Sequence, residues 1–179
     1  MTPPPDLDAW LPEPASGTFH RRVARADPDA LWEAAGSVQL SESRVLGRVV
    51  RWRIPDTPPD ITYRELLARE PFTLLEAGER HSLSAIVGPI WTLRRDYPSL
   101  ADADAFRHWH DPGTARVLFA HWVEPAGDGR SAVVSETRVG VVDRQARLGL
   151  RLVRPLIATF GPLIGSEALS VAVSRAERA

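Results

Sequence analysis

Residues 115–142, ARVLFAHWVE-PAGDG-RSAVVSETRVGVV, decide the fold. Two runs rich in β-branched and aromatic residues flank a block of turn formers, Pro125-Ala126-Gly127-Asp128-Gly129. The pattern predicts an antiparallel hairpin with strands over 115–124 and 131–142. In the first strand Val117, Phe119, His121 and Val123 alternate with Arg116, Leu118, Ala120, Trp122 and Glu124. In the second, Val133, Ser135, Thr137 and Val139 alternate with Glu136 and Arg138. The charged set is expected to meet water and the other set a core. Glu136 and Arg138 are read as facing opposite sides of the strand, which requires a bulge, within a solvated face carrying cross-strand charge pairs.

Working upstream, Phe72 to Glu76 and Arg80 to Ile90 read as two further strands around Ala77-Gly78-Glu79. In the second of these, His81, Leu83, Ala85 and Val87 share one face, and Arg80, Ser82 and Ser84 the other. Earlier still, Thr18 to Ala24 is β-compatible. Asp27-Pro28 then gives an N-cap and a proline at the first helical position, and Gly36 gives a stop. Ser41 to Trp52 has helical spacing, ended by Pro55, Pro58 and Pro59. Thr62 and Glu65 have capping-box spacing and open a short helix through Leu67. Downstream, Asp143 caps a long helix with Leu148, Leu152, Leu156 and Phe160 along one side. Pro155 is expected to bend that helix and Gly161-Pro162 to break or kink it again, before a final segment reaching about Glu177. Residues 1–17 carry Pro3, Pro4, Pro5, Pro12 and Pro14 and read as an extended arm, with Leu7, Trp10 and Leu11 available to dock. The domain proper spans 18–177.

Composition excludes more than it selects. The 179 residues fit one domain of ordinary size. Cysteine is absent, which removes disulfides, thiol nucleophiles and thiolate metal sites. Lysine is absent as well, so Schiff-base and Walker-A chemistry are excluded and all 22 cationic side chains are arginine. The formal net charge of −1 gives no support to nucleic acid or an anionic membrane as the main partner. No apolar run reaches the length of a membrane span, and the N-terminus does not read as a signal peptide. A cytoplasmic location is expected.

The order of these elements resembles the START-like helix-grip superfamily, also called the SRPBCC or polyketide cyclase/dehydrase-like group, in its bacterial form. Phe19-His20-Arg21-Arg22-Val23 leading to Asp27-Pro28-Asp29-Ala30-Leu31-Trp32 resembles the family's opening strand and helix. Phe72 to Glu76 resembles a middle strand, and Arg116 to Pro125 with Val134 to Val139 resembles the terminal hairpin. Ile164-Gly165 is similar to the end of bacterial members. The resemblance covers about residues 18–177. It implies an α+β fold in which a curved antiparallel sheet wraps a long C-terminal helix, with an apolar cavity between them. It implies a lipid- or polyketide-like hydrophobic ligand, or a cyclase or dehydratase activity. It carries no universal catalytic residue and no cofactor.

Strand parity and the closing helix together nominate a cavity wall: His81, Leu83, Ala85, Val87, Val117, Phe119, His121, Ser135, Thr137, Leu148, Leu152, Leu156 and Phe160. Three readings follow. The first is a binder of a hydrophobic small molecule, which suits mostly apolar walls with few polar groups. The second is an enzyme in which His121 moves a proton while Ser135, Thr137 or Tyr97 holds a carbonyl. The third is an interaction module with a filled core, in which exposed Leu118, Ala120 and Trp122 serve a homodimer. His108-Trp109-His110-Asp111 has two histidines but no further ligand at local spacing, and its neighbours Pro112-Gly113 favour a solvated loop over a metal site. Arg94-Arg95 is too short for a nucleic-acid patch.

Overall fold

The computed structural model describes residues 4–92 and 97–178, except that side chains 156–165 are outside the description. The chain order is β1 (Ser16–Ala24), α1 (Pro28–Gly36), a 3-10 turn (Leu40–Glu42), α2 (Arg44–Arg53), α3 (Tyr63–Leu67), β2 (Thr73–Ala77), β3 (His81–Gly88), α4 (Ala103–Arg107), β4 (Ala115–Gly127), β5 (Arg130–Val141) and α5 (Arg144–Ala176). The strands form one antiparallel sheet in the order β1-β5-β4-β3-β2. This is the α+β arrangement of a sheet with one long C-terminal helix. The expected break at Gly161-Pro162 is not seen, because α5 is a single 33-residue helix. α4 was not expected.

Local chemistry explains the helix starts. The Asp27 side chain accepts from Asp29 N, and Pro28 follows it. Thr62 and Glu65 form the anticipated reciprocal box. Asp143 accepts from Ala146 N at 2.8 Å and from Gly113 N at 2.9 Å. These backbone N–H groups hold its carboxyl below the usual carboxylate range. One side chain thus starts α5 and ties it to the entry of β4.

The central strands β3, β4 and β5 carry buried residues on both faces. On the helix side, Ile86, Val117 and Val139 pack with Leu150 of α5, while Val123 and Val133 pack with Leu31, Ala34 and Leu169. On the opposite side, Leu83, Ala85, Val87, Leu118, Ala120, Trp122 and Val134 form one cluster with Leu7, Trp10, Leu11 and Phe106. This second covering overturns three expectations. Leu83, Ala85 and Val87 lie on the face away from α5. Ser82, Ser84 and Ile86 turn toward it, since their Cα partners are His121, Phe119 and Val117. The rule of apolar side inward fails on β3 because each side has a cover. The strip Leu118, Ala120 and Trp122 is not exposed either, being under the chain's own arm and α4.

The arm is held by specific contacts. Trp10 Nε1 donates to Glu76 Oε2 at 3.2 Å, and the Arg107 guanidinium lies 3.8 Å from the Trp10 ring centroid. Arg138 donates to Asp8 Oδ1, to the Leu11 carbonyl and to Glu136 Oε1. Glu136 and Arg138 therefore share one side of β5, as residues two apart in a regular strand must. The bulge between them is unnecessary, and the register is continuous there. A Cβ on Gly140 would lie 2.7 Å from Leu11 Cδ1, so a larger residue there would have to displace the Leu11 side chain.

Trp10→Ala removes a buried aromatic anchor and is expected to lower unfolding stability by about 3–5 kcal/mol. Urea denaturation followed by circular dichroism checks this; a loss below about 1 kcal/mol refutes an integral arm.

Candidate functional site

A cavity of about 270 Å³ lies between the sheet and α5. Its sheet wall is Ser82 and Ser84 of β3, His121 of β4, and Val133 and Ser135 of β5. α5 presents Ala168, Leu169 and Ala172, two of them small enough to leave space. Trp32, Ala35 and Gly36 at the end of α1, and Tyr63, Arg64, Leu67 and Ala68 around α3, close the sides. Leu74, Ala77, Gly78 and His81 complete the border at β2 and β3. The Arg64 guanidinium lies over Gly36 and donates to Glu33 Oε2 at 3.0 Å, linking α3 to α1 beside the cavity.

The register organises the polar groups. Ser82 is opposite His121, His121 opposite Ser135, and Ser135 opposite His20. Four polar side chains thus cross the sheet in one row on the α5 side. His121 Nε2 and Ser135 Oγ are 3.1 Å apart. Either atom can donate, depending on the imidazole tautomer. The Tyr63 ring meets the imidazole edge-on at 5.7 Å. His121 Nδ1, His20 Nε2 and Ser84 Oγ are buried with no hydrogen-bond partner among the described residues.

Burial fixes the charge states. Desolvation pushes His121 down to about 4 and the Tyr63 hydroxyl up to about 12. His20 is also lowered, by desolvation and then by Arg22. At neutral pH the pair His121–Ser135 is an uncharged donor–acceptor unit in an apolar wall.

Of the residues nominated from the sequence, His81, His121 and Ser135 border the cavity. The His81 ring is held by Glu76 Oε1 at 2.9 Å. Val117, Phe119 and Thr137 share the correct face, but Val117 is packed in core and the Phe119 ring meets Phe72 at 5.6 Å. Leu148 and Leu152 point to solvent, 61% and 83% exposed. The inward stripe of α5 instead runs through Ala146, Leu150, Ala168, Leu169 and Ala172. The side chains of Leu156 and Phe160, and residues Arg94, Arg95 and Asp96, lie outside the described residues. Tyr97 does not border the cavity; its hydroxyl accepts from Arg53. His108 and His110 are exposed and bonded to backbone carbonyls. Sequence reasoning missed Tyr63, Ser82, Ser84, Ala168 and Ala172. The 168/172 pair, four apart, was the available signal.

No protein-family model matches the chain, and no curated protein matches it. Among solved structures it is similar to a hypothetical protein from Helicobacter pylori, at 11% identity over 98% of this chain and 97% of that one, with a TM-score of 0.45. It is similar to the Zhui aromatase/cyclase from Streptomyces, at 13% identity over 89% and 94%, TM-score 0.36. It is also similar to norcoclaurine synthase from Thalictrum flavum, at 13% identity over 89% and 84%, TM-score 0.36. No residue role is carried across from them.

The lowered His121 pKa has a signed consequence. Its folded value of about 4 lies below the ordinary 6.5, so the unfolded chain binds more protons between those limits. This residue's contribution falls as pH drops from about 6.5 to about 4 and is constant below. His121→Gln is expected to lose less stability than the parent over that window, by up to about 3 kcal/mol. Urea titrations at the two ends of the window check it, and parallel losses in both proteins refute it.

Proposed function

We propose that this protein binds one small, mainly apolar molecule carrying a single hydrogen-bonding group. The observation that carries the reading is an apolar cavity whose sheet wall holds an uncharged His121–Ser135 pair. Walls that are mostly hydrophobic supply affinity, and a few polar groups supply orientation. Size restricts the ligand. An apolar cavity of roughly 150 Å³ accepts benzene, so 270 Å³ suits about one or two fused rings and not a diacyl lipid.

The second reading is acid–base chemistry of the cyclase or dehydratase kind on such a ring. The His121–Ser135 hydrogen bond at the cavity favours it. With a pKa of about 4, His121 rests neutral, so it enters such a reaction as a base and not as an acid. Tyr97 and Thr137 do not border the cavity, so in this reading the carbonyl-holding role stays with Ser135, and Ser84 is a further hydroxyl for it.

Binding of 1-naphthol, followed by isothermal titration and by its thermal shift, tests the first reading. Ala172→Leu fills the space and is expected to weaken binding at least about ten-fold, or 1.4 kcal/mol, while keeping the fold. Ala168→Val provides the same test should the first variant not fold. Ser135→Ala is expected to cost about 1 kcal/mol of affinity. Failure of 1-naphthol to bind, or unchanged affinity in both filled variants, refutes the reading.

A further inference from the structure

The exposed side of α5 over its first three turns carries a second feature, independent of the cavity. Arg144, Arg147, Arg151 and Arg154 are all exposed. Among the described residues none of the four is within ion-pair distance of a carboxylate. The sequence from Arg144 to Ser166 contains no acidic residue. Arg144, Arg147, Leu148 and Arg151 border one open surface groove. The Asp143 carboxylate also borders it, but its two oxygens are taken by Ala146 N and Gly113 N.

This clustering is unfavourable for an isolated protein. Arg144 with Arg147, Arg147 with Arg151, and Arg151 with Arg154 are like-charge pairs at helical neighbour spacing. Arg144 and Arg147 also stand in the first turn of α5, at the positive end of the helix dipole, where acidic residues are preferred and the carboxylate supplied is that of the N-cap Asp143. Beside them, Leu148 and Leu152 lie four apart on one face and are 61% and 83% exposed. Helical geometry puts the arginines on one flank of the exposed arc and the leucines on the next.

We infer that this face docks on an anionic lipid surface, with the arginines on phosphate headgroups and Leu148 and Leu152 entering the acyl boundary. Charge complementarity selects the occupant. A nucleic acid would use the arginines and leave the leucines in water. An apolar protein groove would use the leucines and leave the arginines unpaired. An interface of negative headgroups over hydrocarbon uses both. The helix lies along the surface and does not cross it. No helix among the described residues is long and apolar enough to cross a membrane.

Flotation of the full chain with vesicles tests the inference. Phosphatidylcholine vesicles containing about one-third phosphatidylglycerol are expected to carry the protein, and pure phosphatidylcholine vesicles are not. Arg147→Glu with Arg151→Glu, and separately Leu148→Ser with Leu152→Ser, should each lower the bound fraction at least about ten-fold. Arg147→Lys with Arg151→Lys should retain binding, and high salt should weaken it. Circular dichroism establishes that each variant is folded; Arg144→Gln with Arg151→Gln replaces the first pair if it is not. Absence of flotation by the parent, equal flotation with neutral vesicles, or undiminished binding by folded variants overturns the inference. Binding to heparin or duplex DNA without binding to vesicles overturns it too, and assigns the arginines to a polyanion.

Discussion

The register of the β4–β5 ladder governs the rest of the molecule. Setting His121 opposite Ser135 puts both on the α5 side and puts Trp122 and Val134 on the arm side. A slip of one residue would exchange those sets, sending a neutral imidazole under the arm and an indole into the cavity. The ladder propagates the choice to its neighbours. Through β4 it places Ser82 and Ser84 against the cavity, and through β5 it places His20 in the same row. The charged triplet Asp8, Glu136 and Arg138 is then left on the arm side, where it fastens the N-terminal segment. Position of the site and attachment of the arm are therefore two results of one pairing.

The hairpin was legible because its alternation is strong on both strands and its turn residues are unambiguous. The caps Asp27, Thr62 and Asp143 were legible for the same local reason. β3 was misread because parity identifies two faces but not which cover each one receives. Leu83, Ala85 and Val87 read as inward by hydropathy, yet the less apolar face with its two serines borders the cavity, and His81 reaches that border from the first position of the strand. A cavity wall tolerates small hydroxyls that a packed core would reject. α5 failed differently. Leu148 and Leu152 are more apolar than Ala146, Ala168 and Ala172, so the larger side chains drew the stripe to the wrong flank. A helix that must leave a void against its sheet uses small residues there, and small residues carry a weak periodic signal. α3 contributes Tyr63 and Leu67 through tertiary placement that no local pattern encodes.

Neutrality is the chemical consequence of that architecture. Burial drives His121 and Tyr63 away from their charged forms in opposite directions on the pH scale. Buried polar atoms without a partner among the described residues, such as His121 Nδ1 and Ser84 Oγ, cost stability. A buried polar group of this kind favours a ligand that brings the missing hydrogen bond and penalises one that does not. In the proposed binding role, selection rests on complementarity to the uncharged His121–Ser135 pair in a small volume, with the Arg64 guanidinium at the border engaged by Glu33.

Charge nevertheless shapes the molecule at a different scale. The net value of −1 is a sum over the whole surface, whereas a partner senses what lies within a Debye length, about 8–10 Å in physiological salt. Carboxylates paired with Arg138, Arg175 and Arg64 neutralise their own neighbourhoods. They do nothing for Arg147 and Arg151 on α5. Asp143 is the carboxylate that borders their groove, and one carboxylate leaves Arg144, Arg147 and Arg151 with a local positive excess. Overall balance and local excess are thus compatible, and the exposed leucines beside the excess distinguish a lipid boundary from a purely polyanionic one.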